Sequence, residues 1–182
     1  NAIRLLLAGG AGSVGNAFWL EPARLSITRT DIRIPNLPAG LDGLKVGLIA
    51  DLHFKPDQDA PLLAEAVAAL NHEKPDLIAL PGDFIDHDPR VADPMMEILS
   101  KLSARHGVFA SMGNHDGWAE AANRLRRGFE RAGIPLLVNR HSRLTIGGES
   151  LAVAATDHVW KGKPDPAKTL AGIPSRTPVI AL

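Results

Sequence analysis

The chain has 182 residues, 45% hydrophobic and 22% charged, which is enough apolar content for the core of one domain. Its formal net charge is +0, and its basic residues fall in short clusters such as Arg124, Arg126 and Arg127, which read as the solvated face of a helix, so no nucleic-acid partner is expected. There is no cysteine, which excludes disulfides and thiolate metal sites and leaves His, Asp, Glu and Asn to hold any metal.

Residues 2–20, AIRLLLAGGAGSVGNAFWL, carry one charge, Arg4. Two readings stay open. The stretch is the apolar region of an export signal or weak membrane anchor, or it is an amphipathic or buried N-terminal helix. We take the first, because Arg4 before a Gly-rich apolar run resembles the start of a twin-arginine signal. The chain then divides into a leader, residues 1–22, and a domain, residues 23–182, which places the protein in a bacterial cell envelope, exported or membrane-anchored. A remote alternative is a dinucleotide-binding protein. GGAGSVG has the required glycine spacing at Gly10, Gly12 and Gly15, but FWLEP after it makes a poor crossover helix.

Beyond Pro22 the pattern changes. LSITRTDIRI (25–34) alternates apolar and polar residues and predicts a half-buried strand closed by Pro35 and Pro38. LKVGLIA (44–50) is a short apolar run that predicts a strand buried on both faces. DLHFKPDQD follows as a loop, then a helix over 60–73. Leu77–Leu80 reads as a second buried strand, followed by a polar loop and a helix over 94–107 that Gly107 stops. GVFASM is a third strand, followed by GNHD and a helix over 118–132. PLLVN, SRLTIGG and ESLAVAAT are shorter strands, the last two joined by a Gly-Gly hairpin turn. Strand, loop and helix recur three times, so the expected architecture is α/β with a sheet parallel in its first half. TPVIAL is β-like with no turn signal after it, and Asn1 is not a start residue. Both ends read as internal to a longer chain.

Each buried strand runs directly into a polar loop: Asp51-Leu52-His53, then Gly82-Asp83-Phe84-Ile85-Asp86, then Gly113-Asn114-His115-Asp116. In an open α/β sheet, ligands bind outside the carboxyl ends of the strands, so parallel neighbours would bring these loops together. Asp-x-His in extended backbone points a carboxylate and an imidazole the same way. Asp83 offers a carboxylate able to bridge two ions, and Asn114 a neutral carbonyl oxygen. Two divalent ions about 4 Å apart can clamp a phosphoryl group and activate water. Each piece alone is weak; the ordered set is strong.

DLH, GDFID and GNHD, in that order, resemble the first three motifs of the calcineurin-like metallophosphoesterases, over about residues 44–182. The context from Glu21 to Phe54 is further similar to a bacterial exported or membrane-anchored branch. The resemblance implies a four-layer αββα sandwich of two mixed sheets, incomplete here at the C-terminus. It implies hydrolysis of a phosphomonoester or phosphodiester at a two-metal site with a bridging hydroxide, the ions being Mn, Fe or Zn. Asp51 and His53 would bind the first metal, Asp83 both, and Asn114 the second. His115 would contact the phosphate and protonate the leaving oxygen, Asp116 would orient His115, and Asp86 would support the site by hydrogen bonding. The implied partner is a phosphoester substrate, lipid-like or envelope-related, with membrane association.

The family adds three later histidines, two of them in a GHxH motif, and none is visible in this chain. The competing reading is therefore a catalytically incomplete phosphoesterase fold that serves as a binding module. His72, His87, His106 and His141 read as surface or turn residues. His158, in TDHVW, belongs to a loop that the resemblance puts on the substrate side. Trp118 and Trp160 read as packing residues, and Met95 and Met96 as core filler.

Overall fold

The computed structural model describes residues 25–182. The leader expected over 1–22 and the glycines of GGAGSVG lie outside the described residues. Compact packing divides the chain between Ile32 and Arg33, and the site and both sheets belong to Arg33–Leu182.

Four short strands make a wholly parallel sheet in the order β1-β2-β3-β4: Val46–Leu48, Leu77–Leu80, Val108–Ser111 and Leu136–Leu137. The connections are helical. They run through α1 (Pro56–His72), α2 (Ala92–Leu99), and the pair α3 (Asn114–Trp118) and α4 (Ala122–Arg131). A second sheet holds β5 (Arg140–Ile146) antiparallel to β6 (Glu149–Ala155), with β7 (Val179–Ala181) parallel to β6. Gly147 and Gly148, at φ of 58° and 81°, form the hairpin turn between β5 and β6, where a two-residue loop needs φ above zero at both positions. The last helix, α5 (Pro166–Leu170), lies against β5, and His141 Nδ1 is 2.7 Å from the Thr169 carbonyl oxygen.

Alternation along β2 and β3 sorts their side chains into two cores. Ile78, Leu80, Val108 and Ala110 pack with Leu63, Met95, Leu99, Leu125 and Phe129 on the helical side. Leu77 and Phe109 pack with Leu41, Ile146, Leu151 and Val153 between the sheets. The layer order is therefore helices, parallel sheet, second sheet, helix: the αββα sandwich that the motifs imply.

Five expectations need correction. The helix expected over 118–132 divides into α3, which ends at Trp118, and α4, which starts at Ala122, with Glu120 at φ of 52° between them. Residues 25–34 form no strand, because alternation supplies no partner and their backbone enters no ladder. The strand at 44–50 is not buried on both faces. It shortens to an edge strand whose Val46 and Leu48 are exposed, while Gly47 sits so tightly under Leu70 that a Cβ there would lie 2.6 Å from Leu70 Cδ1. The first helix starts at Pro56, not residue 60. Pro56 suits a first helical position, Asp57 and Asp59 favour the positive helix end, and Asp59 accepts from the Lys55 N–H at 2.7 Å. The second helix stops at Leu99 rather than running to residue 107. The Asn71 side chain donates to the Lys101 carbonyl and accepts from the Ser103 N–H, drawing 101–103 out of helical pairing.

Candidate metal centre

Three loops meet at the carboxyl ends of β1, β2 and β3. The first two continue the parallel pairing past the end of the sheet. Asp51 N–H donates to the Gly82 carbonyl at 3.2 Å, His53 N–H to Asp83 at 3.0 Å and Phe54 N–H to Phe84 at 3.0 Å. Phe54, Phe84 and Ile85 are fully buried, so the apolar members of DLHF and GDFID anchor the loops and leave Asp51, His53, Asp83 and Asp86 at the surface. The third loop presses onto the second with no room for a side chain between them. A Cβ on Gly82 would lie 2.3 Å from the Gly113 nitrogen, and one on Gly113 would lie 2.0 Å from Asp83 Oδ1. These glycines are required by close approach, and Gly82 also has φ of 95°.

The loops bring the expected residues together. One donor atom each from Asp51, His53 and Asp83 lie within 4.8 Å of one another, close to the spread that one divalent ion with bonds of about 2.0–2.2 Å permits. All three residues adopt left-handed backbone, with φ of 53°, 40° and 52°, so Asp51 and His53 come together through a turn and not through the extended backbone expected of them. Such conformations cost on the order of 1 kcal/mol or more each and gather at functional sites. The donor set is one imidazole and two carboxylates, which suits Mn, Fe or Zn. A second group, His53, Asp86 and His115, is equally close, so His53 belongs to both. Asn114 and Asp83 line one open cleft of about 290 Å³.

His115 is the second residue of α3, and its backbone N–H donates to Asp83 Oδ1 at 2.9 Å. Its Nδ1 lies 3.0 Å from Asp86 Oδ1, so that nitrogen carries the hydrogen and Nε2 is left for other chemistry. The ring stands edge-on to His53 at 4.5 Å and to Trp118 at 4.6 Å between centroids. Asp86 also pairs with the exposed His87 ring at 2.9 Å and faces His53 at 3.7 Å. Partial burial pushes the Asp86 carboxyl up, but His87, His115 and His53 outweigh it and hold the group below the usual carboxylate range.

Asp116 does not take the place expected for it. It is fully buried, and its carboxylate accepts from three backbone N–H groups: Phe84 at 2.9 Å, Ile85 at 3.0 Å and Gly113 at 2.9 Å. It binds the second loop to the third, and the carboxylate on His115 is Asp86. Burial pushes the Asp116 carboxyl up to about 6, with nearby Asp83 adding to the rise, while the three N–H donors pull the other way.

A fourth loop, after β6, also reaches the cleft. Thr156, Asp157, His158 and Trp160 line it opposite Asp83 and Asn114. Trp160 and Trp118 are exposed rather than packed inside, with ring centroids 6.4 Å apart. The signal in the sequence is positional: TDHVW follows a strand end, as DLH, GDFID and GNHD do.

The family model for calcineurin-like phosphoesterases matches residues 44–172, which takes in all three loops. The chain belongs to this family. It is 29% identical over 177 residues to the uncharacterised metallophosphoesterase YkuE of Bacillus subtilis, covering 93% of this chain and 62% of that protein. It is 35% identical over 98 residues to the UDP-2,3-diacylglucosamine pyrophosphatase LpxG of Chlamydia muridarum, covering 53% and 30%. It is 30% identical over 128 residues to the phosphodiesterase YaeI of Escherichia coli, covering 68% and 47%. The chain thus spans less than two thirds of the length of each of these phosphoesterases. Among the described residues, no helix is long and apolar enough to cross a membrane.

Proposed function

We propose that this chain carries the reaction centre of a metal-dependent phosphoester hydrolase. The observation that bears most weight is the clustering of Asp51, His53 and Asp83 donor atoms within 4.8 Å at adjacent parallel strand ends. Asp51, His53 and Asp83 would hold one divalent ion, and Asp83 and the Asn114 carbonyl oxygen would offer donors to a second. Bound there, divalent ions would supply positive charge for the phosphoryl oxygens and would lower the pKa of a water for in-line attack. His115 gives a proton from Nε2 to the departing oxygen as its bond to phosphorus breaks. Asp86, 3.0 Å from Nδ1, fixes the ring's orientation and balances the imidazolium charge before that transfer. Asp116 keeps the loops in register and touches no reacting atom.

The substrate reading is a diester or lipid-like phosphoester in the cell envelope. It is supported by the activities named for two relatives, a phosphodiesterase and a pyrophosphatase acting on a diacylglucosamine nucleotide. The test is hydrolysis of p-nitrophenyl phosphate and bis-p-nitrophenyl phosphate with added Mn²⁺, by the protein and by Asp83→Asn. Turnover of the diester that collapses in the variant is expected. Equal rates from both proteins would sink the assignment.

A further inference from the structure

We propose that Trp118 and Trp160 form a two-ring subsite that grips the organic group of the phosphoester and selects substrates with a flat aromatic or bulky apolar group. The inference rests on the hydrolase reading above and adds the residues that set its specificity.

Trp160 sits at the tip of a loop whose base is tied down from every side. Asn139 Oδ1 accepts from the Asp157 N–H at 2.9 Å and from the Asp165 N–H at 2.8 Å, and its Nδ2 donates to the Lys163 carbonyl at 2.7 Å. Asp157 in turn accepts from the His158 and Lys163 N–H groups at 2.9 and 2.8 Å. These bonds fix the chain on both sides of Trp160. The indole is nevertheless 72% exposed, at the rim of the cleft that holds Asp83 and Asn114. Large apolar side chains left in water beside a polar cleft mark ligand contact.

Trp118 supplies the other ring and is fixed from below. It belongs to α3 with Asn114 and His115, and its ring touches the His115 ring at 4.6 Å. The two indoles are tilted by 58° with centroids 6.4 Å apart, so they form an open angle rather than a closed stack. The His158 ring lies close over Gly117: a Cβ there would lie 2.5 Å from His158 Nε2, so the ring would have to turn aside. A phosphoester with its phosphorus beside Asp83, Asn114 and His115 would run its organic group past this pair. Aromatic contact of this kind typically changes binding by roughly three- to tenfold per ring.

The test compares p-nitrophenyl phenyl phosphate with methyl p-nitrophenyl phosphate, which share a leaving group and differ in the retained group. The wild-type protein with Mn²⁺ should prefer the phenyl ester in kcat/KM. Trp160→Ala should cut that phenyl-to-methyl ratio about three- to tenfold, and Trp160→Phe should keep most of it. Trp118→Phe provides the second ring variant. Equilibrium binding of phenylphosphonate against methylphosphonate, by calorimetry on the same proteins, reads the subsite without turnover. Failure to hydrolyse either ester, with phenylphosphonate still preferred and that preference lost in Trp160→Ala, would refute the hydrolase reading and keep the subsite. A ratio and a binding preference both unchanged in folded Trp160→Ala would overturn the subsite. So would an unchanged ratio with loss of vesicle binding, which would make the loop tip a membrane contact.

Discussion

His115 and Asp86 stand 3.0 Å apart, Nδ1 to Oδ1, although 29 positions separate them in the chain. The pair joins the third strand-end loop to the second through side chains, and Asp116 joins the same loops through backbone. One carboxylate holds the His115 ring and the other the backbone of the loops. Removing the Asp86 charge should therefore impair catalysis more than folding. Asp86→Asn should lower kcat by roughly 10- to 100-fold, the range for lost partners of site residues. His115→Asn should lower it further, and the double variant should be no worse than His115→Asn alone. Additive losses would mean that Asp86 acts elsewhere.

Asp116 should behave in the opposite way. Asn in its place still offers one carbonyl oxygen to Phe84 and Ile85 but turns an N–H₂ toward the Gly113 N–H. One buried donor is then left without an acceptor, a loss of about 1–3 kcal/mol. Urea unfolding of metal-free Asp116→Asn should show that loss, whereas Asp86→Asn should unfold close to wild type.

Asp51, His53 and Asp83 all sit in left-handed backbone. Asp51→Gly removes a carboxylate facing Asp83 and lets a residue at φ of 53° adopt that conformation freely. In EDTA this variant should be more stable than wild type by about 1 kcal/mol. Added Mn²⁺ should raise the melting temperature of the wild-type protein, by mass action, and leave Asp51→Gly nearly unmoved. A variant that still responds fully to Mn²⁺ would remove Asp51 from the ligand set.

Gly113→Ala tests the packing of the loops. Its Cβ would meet Asp83 Oδ1 at 2.0 Å and the Asp83 nitrogen at 2.2 Å, and backbone cannot yield as a flexible side chain does. The loops must separate, at a cost of typically 1–3 kcal/mol or more. Mn²⁺-dependent stabilisation should fall together with stability, because the substitution displaces a ligand. Full retention of both would contradict the close approach.

Just past the site, Asp88 caps the turn that leads into α2. It accepts from the Arg90 N–H at 2.9 Å and from its guanidinium at 3.0 and 2.7 Å. Those bonds hold its carboxyl at about 2. A depressed value means that the contribution to stability is complete above the ordinary carboxylate range and is lost as pH falls through about 2. Carboxyl NMR titration should find Asp88 still ionised at pH 3, and Arg90→Gln should return it toward its ordinary value of 3.8.

The parallel sheet and the meeting of its three loops were legible because each short apolar run ends in a polar motif, and topology does the rest. What could not be read depended on neighbours that no local pattern names. Val46 and Leu48 look like core until the strand order makes β1 an edge. The helix ending at Leu99 has the periodicity to continue, and Asn71, 28 residues earlier than Leu99, stops it. Asp86 and Asp116 are both acids close to the catalytic loop in sequence, and only their burial separates their roles. Trp160 passes for an ordinary packing residue until the fold leaves it exposed at the rim of the cleft.

Three amides, those of Phe84, Ile85 and Gly113, end on a single carboxylate. Their exchange with deuterated solvent should be governed by one shared opening event rather than three. The two loops would then open and close as one cooperative unit, and the centre would be either wholly assembled or wholly lost.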